Sequence, residues 1–311
     1  MNILITGSSG FLGKQILKEL STCSKYSVSA SVRQNSKILP NKMLKVGNIN
    51  RKTCWKEALN GQQVVIHCAG RAHIMNENQS TALNKYKEVN TYGTLNLAKQ
   101  AAIAGVKRFI FISSIKVNGE STSNGILFNS KIKTTPKDPY GLSKYEAEQG
   151  LIKIASNTAM EVVIIRPPLI YGPGVKANFK SLLNLASKKI PLPFGLFSNN
   201  RRSLVSIYNL IDLILCCIDH PNASNEIFLV SDDNDLSTKE MIKLMAKVQK
   251  NKIFLIPVPI SILKFLFKLI GKKEIISKLT ESLQLDISHT KKTLNWKPPL
   301  SVHEGFKRCI L

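Results

Sequence analysis

The sequence predicts an α/β fold: a doubly wound parallel sheet with a smaller C-terminal lobe interleaved into it. Three observations carry that prediction. Short apolar, β-branched runs alternate with helical patterns through the first two-thirds of the chain, as in a parallel sheet covered on both faces. A glycine turn at residues 6–13 follows the first of these runs. Beyond Pro167 and Pro168 the alternation weakens, punctuated by Pro173, Pro191 and Pro193.

In order along the chain, strands are expected at 3–5, 28–32, 43–46, 64–67, 109–113 and 162–166. Helices are expected at 11–20, 53–59, 86–104 and 140–155, with shorter ones near 179–186 and 210–217. Residues 1–170 make the first domain, to which some later segments return, and residues 171–311 make most of the second lobe. No linker or internal repeat separates them.

The turn after the first strand reads Thr-Gly-Ser-Ser-Gly-Phe-Leu-Gly. Gly7 permits the tight turn, Gly10 lets backbone approach a pyrophosphate, and Gly13 lets the helix pack on the strand. With Phe11 and Leu12 they place the positive end of a helix toward phosphates, so dinucleotide binding is preferred over a purely structural turn. The second strand ends at Arg33, where an acid would normally hold the adenosine ribose. Arg33 suits a 2′-phosphate and points toward NADP over NAD. A solvated arginine, or one stacked on adenine, is the alternative.

Tyr140 and Lys144 lie four apart at a helix start, so both project from one face. A nearby ammonium is expected to lower the phenol below its ordinary value of about 10 and make Tyr140 an acid/base near neutrality. Asp138-Pro139 sets the start of that helix. Ser113 and Ser114 end the strand at 109–113, where their hydroxyls reach the crevice at the sheet's carboxyl edge.

The chain has 311 residues and a formal net charge of +24, with 43% apolar residues. That composition excludes a disordered chain. Only 8 of the 44 basic residues are Arg, and Lys is a solvated point charge rather than the bidentate fork of base readout. No nucleic-acid partner is expected. Six cysteines without metal-like spacing fit a reduced cytosol, no signal peptide is read before the first strand, and a cytoplasmic location is expected. The apolar stretch 253–270 is broken by Pro257, Pro259, Lys264 and Lys268 and does not read as a membrane span. Segment 261–273 is read as an ordinary amphipathic helix; contact with a membrane surface is the alternative and is not favoured. His67 and His73 are read as structural, Trp55, Trp296, Cys216 and Cys217 as packing residues, and no metal site is expected.

Further motifs fall in a fixed order: Val65-Ile-His-Cys-Ala-Gly70, Asn90-Thr-Tyr-Gly-Thr94, Phe111-Ile-Ser-Ser-Ile-Lys-Val-Asn-Gly119 and Arg166-Pro-Pro-Leu-Ile-Tyr-Gly-Pro173. With the glycine turn and Tyr140–Lys144 they resemble an extended short-chain dehydrogenase/reductase of the NAD-dependent epimerase/dehydratase family, a Rossmann fold. Ala177-Asn-Phe179, Pro191-Leu-Pro-Phe194 and Arg202-Ser-Leu204 are most similar to a bacterial branch. Its members are UDP-glucose or UDP-N-acetylhexosamine 4-epimerases and 4-reductases of lipopolysaccharide, O-antigen and capsule sugars.

The resemblance implies that Ser114 hydrogen-bonds the sugar 4-oxygen, Tyr140 exchanges the 4-hydroxyl proton, and Lys144 holds the nicotinamide ribose and tunes Tyr140. It implies cofactor contacts from Asn48, Ile49, Ala69, Gly70 and Pro167, and a homodimer built on the helices 86–104 and 140–155. Asn90 is implied as a brace for the central helix. Arg202 and Asn178 are the candidate diphosphate ligands, against a bland loop role for Arg201-Arg202. Phe194 is read as either a uracil platform or a core aromatic. Dehydratases of the family carry Thr-Asp-Glu where this chain has Ser114-Ile115-Lys116. Ile115 cannot transfer a proton and Lys116 has the wrong charge for a carboxylate acid, so dehydration is not expected. The open readings are a UDP-sugar 4-epimerase, an NAD(P)H-dependent 4-ketoreductase of a UDP-4-keto-6-deoxy-N-acetylhexosamine, and a non-catalytic NAD(P)-binding regulator.

Overall fold

Apolar residues at every position of a strand demand cover on both faces, and the first strand shows how this is met. In a computed structural model describing residues 1–33, 42–71, 79–123, 125–175, 177–188, 190–271 and 273–310, β1 (Asn2–Thr6) turns Ile3 and Ile5 to one side and Leu4 to the other. Ile3 and Ile5 pack with Ile16, Leu17 and Leu20 of α1 (Phe11–Ser21). Leu4 joins Val65, Phe109, Leu97 and Leu151 in a second core.

The other strands are β2 (Ser27–Val32), β3 (Lys42–Lys45), β4 (Val64–His67), β5 (Arg108–Ile112), β6 (Glu161–Arg166) and, from late in the chain, β9 (Ile227–Leu229). They form one seven-stranded parallel sheet in the order β3-β2-β1-β4-β5-β6-β9. This is the doubly wound Rossmann topology, and the order reverses between β1 and β4. The ligand crevice of such sheets opens at the carboxyl ends of those two strands.

A second parallel pair, β7 (Leu169–Tyr171) with β8 (Leu204–Ser206), borders a further core. Tyr171, Phe179 of α6 (Ala177–Ala186) and Phe306 stack in that core. The Tyr171 hydroxyl donates to buried Asp232. The helix α7 (Ile207–Asp219) turns back, packing Leu210, Leu213 and Ile214 in the core beside β1. Cys217 and Trp296 are buried with them, and Cys216 packs at the edge of that core.

The expected helix 86–104 differs from what forms. It is built from α3 (Gln79–Tyr86), a π-helical segment Lys87–Gly93 and α4 (Thr94–Ile103). The widened turn lets two adjacent residues, Asn90 and Thr91, both reach the next helix, α5 (Pro139–Ser156). Strands β7 to β9 were also not expected; each has three residues, too short to show a period. Between α2 (Lys56–Leu59) and the expected start at residue 53, Thr53 instead bonds the Asn48 carbonyl and Asn50 amide, a loop role. Among the described residues no helix is long and apolar enough to cross a membrane. His73 lies outside the described residues.

Candidate active site

The glycine turn supplies the floor of the crevice. Gly7 adopts a left-handed φ of 70°, and a side chain there would meet the Ala69 amide at 2.7 Å. Gly13 presses on the turn so closely that a Cβ would lie 2.3 Å from the Gly7 carbonyl oxygen. Gly13→Ala is therefore expected to cost about 1–3 kcal/mol through overpacking against backbone, read as a lower urea midpoint. Helix α1 has Gly10 as its N-cap with no side-chain acceptor, and the first intrahelical bond runs from Lys14 to Gly10. The amides of Phe11, Leu12 and Gly13 are thus left for an anion, which fits a dinucleotide pyrophosphate. The Ser8 hydroxyl pins this turn to β2 by donating to the Ser31 carbonyl at 3.1 Å. Arg33 stands exposed just beyond β2.

Across the crevice, Ser114, Tyr140 and Lys144 come together at the end of β5. Ser114 follows the strand in extended conformation and caps the short 3-10 turn Ile115–Val117. The Ser114 hydroxyl acts on the Tyr140 phenol, lowering its pKa. One turn further along α5, the Lys144 ammonium donates to the Ile112 carbonyl at 2.9 Å and lies 4.5 Å from the Phe111 ring centre. A Cβ on Gly70 would stand 3.3 Å from Lys144 Nζ, so the loop after β4 closes on the same lysine.

Electrostatics depart from the sequence expectation. Tyr140 keeps partial surface access, yet burial of its phenol pushes it up to about 12 rather than down. Ser114 opposes this, Asp138 and Tyr86 reinforce it, and Lys144 is not among the groups acting on it. The reason is geometric: the ammonium is directed at the Ile112 carbonyl. Lys144 is itself lowered to about 8 by burial, partly offset by Cys68 and Glu148.

Gly141 and Glu148, which help hold this geometry, escaped the sequence reading, whereas Asp138 and Asn90 were expected in supporting roles. Gly141 lets α5 approach the Ser114 turn, since a Cβ would meet the Lys116 carbonyl at 2.7 Å. Asp138 caps the helix by accepting from the Gly141 amide at 2.8 Å and also pairs with Lys116 at 3.3 Å. Buried Asn90 joins the Arg71 backbone to the Ser143 hydroxyl. Glu148, one turn beyond Lys144, accepts from Ser113 and from Arg166 of β6. The i, i+4, i+8 spacing of Tyr140, Lys144 and Glu148 was the available signal.

His67 is wholly buried, with Nδ1 2.6 Å from Thr6 Oγ1 and Nε2 2.9 Å from Thr94 Oγ1. It ties β1 to α4 as a neutral ring, lowered to about 3 by burial and then by Lys144. Below pH 6.5 an unfolded histidine gains a proton that the folded one refuses, so this contribution to stability falls as pH drops from 6.5 toward 3. Urea unfolding at pH 7.5 and pH 5 is expected to show a smaller loss for His67→Gln than for the unaltered chain.

The remaining expected residues lie farther out. Asn48 is exposed, its carbonyl held by Thr53, while Ile49 packs where Gly93 would otherwise carry a side chain. The Pro167 carbonyl accepts from the Ile115 amide at 3.0 Å, tying β6 to the Ser114 turn. Arg202 directs Nη1 to the carbonyls of Lys278 and Glu281, and burial lowers its pKa. Arg201 pairs with Glu240 on the surface. Asn178 is the second residue of α6, and its side chain lies outside the described residues. Phe194 is buried edge-to-face with Phe197 at 5.3 Å, a core aromatic.

Residues 3–231 match the NAD dependent epimerase/dehydratase family. The chain belongs to that family. The chain is 53% identical to a UDP-glucose 4-epimerase of Vibrio cholerae over 99% of its own length and 94% of the relative's. Among solved structures, a UDP-glucuronic acid 4-epimerase from Bacillus cereus in complex with NAD superposes with a TM-score of 0.76 at 19% identity, covering 99% of this chain and 97% of that one. RMD from Pseudomonas aeruginosa complexed with NADPH superposes at 0.74 and 18% identity, covering 100% and 98%. As a member of this epimerase/dehydratase family the protein is an enzyme of its epimerase or reductase classes, and its parallel sheet is the one these structures share.

Proposed function

We propose that the protein is a nucleotide-sugar 4-epimerase acting on a UDP-hexose or UDP-N-acetylhexosamine through a transient 4-keto sugar. The observation that carries this reading is the cluster at the end of β5, where the Ser114 hydroxyl acts on the Tyr140 phenol and Lys144 lies one turn away. Similarity to the Vibrio cholerae enzyme over nearly the whole chain supports the same reaction class.

In this account Ser114 orients the sugar O4, and Tyr140 takes the O4 proton as the C4–H bond breaks and returns it when C4 is reduced from the opposite face. NAD or NADP, when bound in its oxidised form, would supply the hydride acceptor. Burial holds the Tyr140 pKa up at about 12, so a nearby positive charge would be needed for it to act as a base at neutrality. Gly7, Gly10, Phe11, Leu12 and Gly13 would hold the pyrophosphate, with Asn48, Ile49, Ala69, Gly70 and Pro167 along the cofactor. Arg202 and Asn178 would hold the UDP diphosphate. Arg33 without a carboxylate neighbour favours NADP, and the same residue is the observation that keeps the NAD(P)H-dependent 4-ketoreductase as second reading. Helices α4 and α5 would pair across a homodimer in the cytoplasm.

Incubating purified protein with UDP-glucose and with UDP-N-acetylglucosamine, without added nicotinamide, is expected to yield the 4-epimers. Reduction of a UDP-4-keto-6-deoxy sugar by NADPH, with no epimer formed, would make it the reductase. Failure of both would leave a cofactor-binding regulator.

A further inference from the structure

The segment read from sequence as an ordinary amphipathic helix does not bury its apolar residues. Beyond α8 (Thr238–Val248), in α9 (Ile260–Leu269), Leu263 is the one fully buried residue, and Ile260 and Phe267 pack half-buried on the core that also holds Met241 and Met245 of α8. Ile262, Phe265, Leu266 and Leu269 remain 48–67% exposed. Their spacing of i, i+3, i+4 and i+7 aligns them in one stripe, separate from the packed face. Lys264 and Lys268 border the stripe and are also exposed. The chain leading into α9 adds exposed Phe254 and Ile256, and Phe254 shares a groove of about 560 Å³ with Ile190, Lys250 and Lys252.

Charge selects the occupant. Residues 241–273 contain eight lysines and no carboxylate. A second copy would set like charge against like charge across the contact, whereas anionic headgroups complement the lysines and acyl chains take the stripe. We infer that α9 docks the enzyme on an anionic phospholipid surface, with Phe265 and Leu269 in the acyl boundary and Lys264 and Lys268 among the headgroup phosphates. The helix is too short and too basic to span the bilayer, so the contact is peripheral and salt-sensitive. This assignment also gives a role to part of the lysine excess that the nucleotide ligands leave unused.

The test is co-sedimentation of the full chain with vesicles of phosphatidylglycerol and phosphatidylcholine, and with phosphatidylcholine alone, at physiological salt. Pelleting is expected with the anionic vesicles and not with the neutral ones. Phe265→Ser/Leu269→Ser and Lys264→Glu/Lys268→Glu are each expected to weaken it by about tenfold or more, with turnover of a soluble nucleotide sugar unchanged. Because the substituted residues are exposed, unaltered circular dichroism is expected in both variants. No pelleting of the folded chain, or equal pelleting of the variants, overturns the proposal. So does a fall in oligomer size for Phe265→Ser/Leu269→Ser by light scattering, which would make the stripe a contact between copies.

Discussion

Tyr140→Phe is expected to lower kcat for sugar epimerisation by roughly 10²–10⁴-fold, the usual contribution of a positioned acid/base. The phenol is the group on which the Ser114 hydroxyl acts, and Ser114 follows the carboxyl end of β5. The substitution removes one hydroxyl from a ring that packs edge-to-face on Tyr86 at 5.9 Å, so stability should change by about 1 kcal/mol or less. A folded Tyr140→Phe protein retaining most of its turnover would remove Tyr140 from the chemistry. Lys144→Met separates the two roles expected of the lysine. Because its ammonium is directed at the Ile112 carbonyl and not at the phenol, the acid limb of the kcat/KM profile should stay in place in that variant while cofactor binding weakens.

The largest stability effect is expected from the buried pair behind these residues. Arg166 and Glu148 are 1% and 0% exposed and meet at 2.6 Å, with Glu148 also accepting from Ser113. The other arm of Arg166 reaches Asn118 at 3.1 Å and the Ser130 carbonyl at 2.9 Å. Arg166→Met strands a buried carboxylate and should cost about 3–5 kcal/mol in urea unfolding. Arg166→Met/Glu148→Leu removes both charges and should cost less than the sum of the single changes. A single-variant loss below about 1 kcal/mol, or strict additivity, would show that the pair does not brace β5, α5 and β6 together.

Much of the candidate site was legible because it rests on local spacing. The glycine turn, the serines ending β5 and the four-residue step from Tyr140 to Lys144 each sit within one strand–loop–helix unit, where pattern fixes geometry. The braces were not legible for the opposite reason. Thr91 bonds the Ser143 carbonyl across 52 residues, and Arg166 meets Glu148 only once two elements pack. The direction of the Tyr140 shift also required the fold, since spacing to Lys144 showed proximity along the helix and not the Ile112 carbonyl that takes the ammonium. Strands β7 to β9 were missed because a three-residue strand gains its identity from its partner. The basic helix α9 had the amphipathic pattern expected of it, but sequence could not tell that two different faces were apolar and that only one would be covered.

The most direct test of the central claim follows the hydrogen at C4. UDP-glucose carrying deuterium at C4 is incubated with the purified enzyme in ordinary water, without added nicotinamide, and the 4-epimer is analysed by NMR. If a 4-keto sugar stays bound while hydride leaves and returns within one site, UDP-galactose forms with the deuterium still at C4. Loss of the label to solvent, or no UDP-galactose at all, contradicts the account.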